Sequence, residues 1–127
     1  MLLQLCGVVA VGADRSGTAP FCPELHAITR DPQLCEQGYP AFLLAEALAQ
    51  IACRTARAAD GADRRMMPVR IMALTAATVP ATAGCGGRLV ARLLRSQPLS
   101  EFACALEDAT GVTIASATIT VAPTEIS

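Results

Sequence analysis

The sequence predicts an α+β domain in which a curved antiparallel sheet wraps around one long central helix. Three observations carry that prediction. From Ala41 to Cys53 every residue is apolar except Glu46 and Gln50, a run with helical length and no polar face wide enough for an ordinary surface helix. On either side of it lie short β-type runs punctuated by turn residues. The 127 residues suffice for one core and not for two, so residues 1–127 read as a single domain. A helix that is apolar on all sides must be covered on all sides, and a wrapped sheet is the simplest cover. Five or six strands around one helix still leave a helix end and a sheet edge open, which a second subunit normally closes.

The elements follow in order. Leu2 to Val11 reads as a buried strand, and residues from about Gly17 to Pro23 pair with it around the turn "GADRSG". A loop containing Pro32 and Gly38 leads to the helix, expected from about Pro40 to Ala58. Pro40 suits the first helical turn because its missing N–H would have no intrahelical partner there. Arg54 and Arg57 sit toward the other end, where cations complement the helix dipole. "ADGADRR" ends the helix, and beyond Met67 the helical period is lost. "VRIMALTAATV", "RLVARLLRS", "SEFACALED" and "VTIASATITVA" then read as four strands of an antiparallel meander, with "PATAGCGG", "SQPL" and "ATG" between them. In the third of these, Phe102, Cys104 and Leu106 share one face, and Glu101, Ala103, Ala105 and Glu107 the other.

Composition excludes several function classes. The net charge is -1, so the chain lacks the basic footprint expected for nucleic acid or an anionic membrane. The longest apolar run falls short of the ~20 residues of a membrane span. The N-terminal run lacks a basic flank and a small-residue cleavage site, and so reads as a strand rather than a signal peptide. The six cysteines (Cys6, Cys22, Cys35, Cys53, Cys85, Cys104) form no C-x-x-C pair and the chain has one histidine, a poor set for a metal. Free thiols in a reducing cytoplasm are the expectation. All ten basic residues are arginine, which reads as compositional bias.

The residue that asks for an explanation is Glu46. A buried, unpaired carboxylate is costly and usually responds with a raised pKa. Gln50 lies four residues on, one turn along the same face. Either this face meets solvent or a partner's polar groups, or it lines a functional site.

The surrounding stretch, "GYPAFLLAEALAQIA", resembles the helix-entry motif of the hotdog-fold β-hydroxyacyl-acyl-carrier-protein dehydratases of the FabZ type, H-F-P-G-x-P-x-x-P-G-x-x-x-x-E-A-x-A-Q. Pro40, Glu46, Ala47, Ala49 and Gln50 match it, and Ala41 stands where the family has glycine. "VPATAGCGGRLVARLL" and "SEFACALEDATGVTIASATITVA" resemble the family's later turn, strand and C-terminal hairpin, so the likeness spans nearly the whole chain. It implies a hotdog fold and a dimer whose sites are shared between subunits. It also implies 3-hydroxyacyl thioester substrates delivered on the phosphopantetheine arm of an acyl carrier protein, and no other cofactor. In the family a histidine removes the α-proton, and a glutamate or aspartate from the other subunit protonates or positions the leaving hydroxyl. The start of the helix presents backbone N–H groups to the thioester carbonyl. Carried over, Glu46 is the acid and Gln50 holds it, while Tyr39, Pro40 and Ala41 line the mouth of the substrate site.

The sequence departs from the family where the base should stand. The family's histidine is fourteen residues before its glutamate, a place that Pro32 occupies here, and the sole histidine, His26, is twenty before Glu46. "H-F-P-G" and the glycine of "P-G" are both missing. Three readings stay open: an active dehydratase, a lyase, using Glu46 with a relocated His26; a degenerate subunit, or non-catalytic structural partner, of a dehydratase heterodimer whose related subunit supplies the histidine, as in fatty-acid or polyketide and polyene assembly; and a hotdog acyl thioesterase in which Glu46 activates water. Cys35 is a further candidate nucleophile, with no histidine near it in sequence to activate it. Arg54, Arg57, Arg64 and Arg65 form either a solvated helix end or a contact for an acidic carrier or a pantetheine phosphate.

Overall fold

The computed structural model describes residues 5–22, 41–59, 65–76 and 87–124. Its one described helix, α1 (Ala41–Ala59), is built around the apolar run. Leu43, Leu44, Ala47, Leu48, Ile51, Ala52, Thr55 and Ala56 are buried, a stripe at the i, i+1, i+4, i+5 spacing of one helix face. Six strands cover that face: β1 (Ala10–Val11), β2 (Gly17–Pro20), β3 (Met66–Ala76), β4 (Arg88–Arg95), β5 (Ser100–Glu107) and β6 (Thr113–Pro123). They form one antiparallel sheet in the order β1-β2-β4-β5-β6-β3. A sheet curved around a single helix in this way is the α+β hotdog fold, as the sequence predicts.

Alternation is cleanest in the middle of the sheet. Phe102, Cys104 and Leu106 of β5 are buried, as are Leu89 and Ala91 of β4 and Ala115, Ala117, Ile119 and Val121 of β6. Much of the sequence's alanine is thereby placed: Ala47, Ala52 and Ala56 on the helix meet a sheet whose inner face carries Ala19, Ala91, Ala115 and Ala117. Small side chains on both sides bring the backbones together, and Phe102, Leu43, Leu48, Ile51 and Leu106 fill what remains. Each such large side chain contributes about 1.5–3 kcal/mol of burial.

Two turns owe their shape to aspartates. In "GADRSG", Asp14 Oδ1 accepts from Ser16 N (3.1 Å) and Arg15 takes a left-handed φ of 64°. After β5, Asp108 Oδ1 accepts from Thr110 Oγ1 (2.6 Å), Thr110 N (2.9 Å) and Val112 N (2.9 Å). These bonds, the Thr110 hydroxyl first, hold the Asp108 carboxyl below its ordinary value.

Three expectations need correction. The N-terminal run is not one buried strand: Leu5 and Cys6 are buried and Cys6 bridges Phe21, whereas Val8 is 90% exposed and Ala10–Val11 is a short exposed pairing with Gly17 and Thr18. The strand expected from Val69 begins at Met66. Nor is the helix covered all round, because the edge strands β1 and β3 do not meet; Phe42 is 63% exposed and Arg57 is exposed as well.

The sheet comes close against the helix at Gly17. A Cβ there would overlap Thr55 Oγ1 and lie 2.8 Å from its Cγ2 and 2.9 Å from its Cβ. Gly17→Ala is therefore expected to destabilise the chain by about 1–3 kcal/mol, read as a drop in the urea midpoint. Thr55 Oγ1 is buried with no hydrogen-bond partner, so combining Gly17→Ala with Thr55→Ala removes two of the three clashing atoms and should recover part of the loss.

Candidate functional site

The uncovered side of α1 is a polar ladder in an otherwise apolar helix. Glu46, Gln50 and Arg54 stand at i, i+4 and i+8, each half-buried. Gln50 Nε2 donates to Glu46 Oε1 (3.2 Å). Gln50 Oε1 accepts from two backbone amides of the N-terminal segment, Leu5 N (2.9 Å) and Cys6 N (3.2 Å). One turn further on, Arg54 Nη1 donates to the carbonyl oxygens of Cys6 and Gly7. The ladder thus stitches the helix to the first edge of the sheet and fixes the direction of the Glu46 carboxylate.

On the other side of the same helix face, a groove of about 560 Å³ separates α1 from the start of β3. Glu46, Gln50, Cys53, Arg57, Arg65 and Met66 line it, together with Ala49, Arg54, Pro68 and Thr124. Its acid end is Glu46 and its basic end is Arg54, Arg57 and Arg65. A second depression, of about 340 Å³, lies near Arg70 and Glu101, where Glu101 is already paired with Arg95 (3.2 Å).

Of the residues singled out in sequence, the structure brings together Glu46 and Gln50, with Arg54, Arg57 and Arg65 on the same groove. Ala41 is the first residue of α1. His26, Tyr39, Pro40, Cys35, Pro32 and Arg64 lie outside the described residues. Glu46 is half-buried rather than enclosed. Arg54 is not simply a solvated charge at a helix end, because it holds two backbone carbonyls.

Sequence reasoning missed Cys53, which lines the groove seven residues after Glu46; that spacing is two turns on one face and would have found it. Burial, with a smaller contribution from the Glu46 carboxylate, pushes the Cys53 thiol up to about 12. Burial first, and then Cys53 itself, pushes Cys104 to about 12 as well. Cys6 is raised by burial against the opposing pull of Arg54. No disulfide joins Cys6, Cys22, Cys53 or Cys104. Among the described residues no three His, Cys, Asp or Glu side chains gather as a metal site, and no helix is long and apolar enough to cross a membrane.

Two outcomes follow. Gln50→Leu leaves the Leu5 and Cys6 amides without their acceptor and is expected to cost about 1–3 kcal/mol in urea denaturation, whereas Gln50→Glu keeps an acceptor but sets a second carboxylate against Glu46. The raised thiols give an alkaline limb. Unfolded cysteines lose their protons near the ordinary value of 9.0, while folded Cys53 and Cys104 hold theirs to about 12. The folded state therefore binds more protons in that window, and stability falls as pH rises from 9 toward 12. The urea midpoint should drop across this range, and the drop should shrink in Cys53→Ala.

No family model matches the sequence, and no curated protein matches it either. Among solved structures the chain is similar to S. sahachiroi AziG, with a TM-score of 0.69 and 13% sequence identity over 92% of this chain and 89% of that one. At that identity the likeness is one of fold.

Proposed function

We propose that this chain is a dehydratase component acting on 3-hydroxyacyl thioesters carried by an acyl carrier protein, with Glu46 as the group that meets the leaving hydroxyl. The observation that carries the reading is the oriented carboxylate: Glu46 Oε1 is held by Gln50 Nε2 (3.2 Å), and Gln50 is itself fixed by two backbone amides. A carboxyl group that is pre-aimed and opens on a groove of about 560 Å³ suits proton transfer to a bound hydroxyl. The resemblance of "EALAQ" to the family's helix motif supports the same role.

In this reading a base takes the α-proton and the electron pair forms the Cα–Cβ double bond. The Cβ–O bond breaks, and the hydroxyl leaves as water with the proton of Glu46. The thioester carbonyl is polarised by backbone N–H groups at the start of α1, near Tyr39, Pro40 and Ala41. Phosphopantetheine carries the substrate, and no further cofactor is required. The base is His26, or the histidine of a second, related hotdog subunit. The second source is favoured by one observation, that Pro32 occupies the place of the family's histidine. The site is then shared between two chains, in a homodimer in the first case and a heterodimer in the second.

The test is water loss from a 3-hydroxyacyl carrier protein, followed by mass spectrometry, with this chain alone and mixed with an intact hotdog dehydratase subunit. Glu46→Gln is expected to lower the rate roughly 100- to 10,000-fold wherever activity is found. Sensitivity to His26→Ala assigns the base to this chain, and activity only in the mixture assigns it to the other subunit. Hydrolysis of simple acyl thioesters without water loss from the hydroxyacyl chain would replace the reading by that of a thioesterase.

A further inference from the structure

On the face of the sheet turned away from α1, one row of side chains crosses four strands. Arg95 of β4 stands opposite Glu101 of β5, Glu101 opposite Thr120 of β6, and Thr120 opposite Arg70 of β3. Phe102, Ile119 and Val121, their neighbours along the chain, are buried in the core, so the row itself faces outward. It lines a depression of about 340 Å³ together with three apolar residues, Val69, Pro98 and Leu99.

Two register slips build this depression. In β3, Pro68 pairs with Val121 and Arg70 with Thr120, so Val69 is an extra residue. Pro68 thereby lines the groove along α1, and Val69 lines the depression on the opposite face. In β4, Leu93 pairs with Phe102 and Arg95 with Glu101, so Leu94 is extra. Without that slip Leu94 would stand opposite Glu101; with it, a guanidinium does. A bulge re-aims a side chain, and here one supplies an apolar wall and the other a cation. The charges of the row do not cancel. Arg95 Nη2 lies 3.2 Å from Glu101 Oε2, Thr120 brings only a hydroxyl, and among the described residues Arg70 has no carboxylate partner. Two guanidinium groups and one carboxylate leave one positive charge over.

We propose that this depression is a second binding site, for a compact organic monocarboxylate, with the carboxylate on Arg70 and the apolar body against Val69, Pro98 and Leu99. A guanidinium presents paired N–H donors matched to the two oxygens of a carboxylate, and the Thr120 hydroxyl is a further donor in the same row. The single surplus charge suits a monoanion. A phosphate dianion would set a second negative charge beside Glu101 and leave the apolar walls without a partner. The volume is at the small end of the roughly 300–1,000 Å³ usual for ligand sites, which selects short acids over long ones. The proposal is independent of the reaction assigned to the groove, from which β3 separates it.

The test titrates the full chain with hexanoate at low salt and follows backbone amide shifts by NMR, with hexanol and inorganic phosphate as comparison ligands. Hexanoate should give saturable shifts at Val69, Arg70, Glu101 and Thr120, with a Kd in the millimolar range, as one charge-assisted contact on an open face would give. Arg70→Gln should weaken binding about tenfold or more. Glu101→Gln frees the Arg95 guanidinium and removes the neighbouring negative charge, so it should tighten binding several-fold, a gain that a merely structural ion pair would not produce. Both variants should keep the wild-type circular dichroism; if Arg70→Gln does not fold, the sign of the Glu101→Gln effect decides. Absence of saturable shifts, equal affinity for hexanol or phosphate, unchanged affinity in folded Arg70→Gln, or unchanged or weaker binding in Glu101→Gln would each overturn the proposal. Saturable shifts at Gln50, Cys53 and Met66 instead would place the ligand in the groove and overturn it too.

Discussion

A backbone N–H shielded from water must find an acceptor, and in the first strand region of this chain two of them find the same one. Leu5 N and Cys6 N both donate to Gln50 Oε1. The carbonyl of Cys6 goes to Arg54 one turn away, and that of Leu5 accepts from Cys22 N on the neighbouring segment. A short, irregular edge is thus fastened to the helix by side chains where it lacks a full ladder of strand pairing. The other edge, β3, is not fastened in this way. Closure on one side and opening on the other is what leaves a groove along α1. Gln50 has a second, dependent function, because the same amide that secures the edge uses its nitrogen to hold Glu46.

That arrangement reframes the carboxylate in the apolar helix. Its neighbours Ala45 and Ala49 are small, so the residue is not enclosed by its own helix, and the gap between β1 and β3 keeps it half-exposed. Polar residues at i, i+4 and i+8 make one narrow seam beside the helix face that the sheet buries. The seam is narrow enough that counting apolar residues gives the impression of a helix buried all round. It is wide enough to bear an acid at one end and guanidinium groups at the other.

What the sequence made legible follows the same physics. The helix and strands β4 to β6 could be read because each buries one face over most of its length, so period and burial coincide; Phe102, Cys104 and Leu106 are the clearest instance. The N-terminal run could not, since Leu2 to Val11 has no alternation and its burial at Leu5 and Cys6 is decided by tertiary hydrogen bonds to Gln50 and Arg54. β3 could be found as apolar and β-branched, but its faces could not be assigned, because beyond Met66 every residue along it stays exposed. Of the candidate site, Glu46 and Gln50 were legible by spacing, while Cys53 was hidden among apolar residues that it resembles in size and burial. His26, Tyr39 and Pro40 lie outside the described residues, so the source of a base rests on sequence alone.

The groove also limits which of its groups can do chemistry. Cys53 lies on it, and a thiol lining a groove invites a nucleophilic role. Yet a nucleophilic cysteine needs its thiolate, and both influences on Cys53 act against that form: burial withdraws water from the charge, and the carboxylate of Glu46 repels it. Cys104 is held protonated too, by burial first and then by Cys53. The helix end offers guanidinium groups, which bind anions but do not exchange protons near neutral pH. Among the described residues lining the groove, this leaves Glu46 as the one carboxyl group. An acid–base step there needs a complementary base from outside that set.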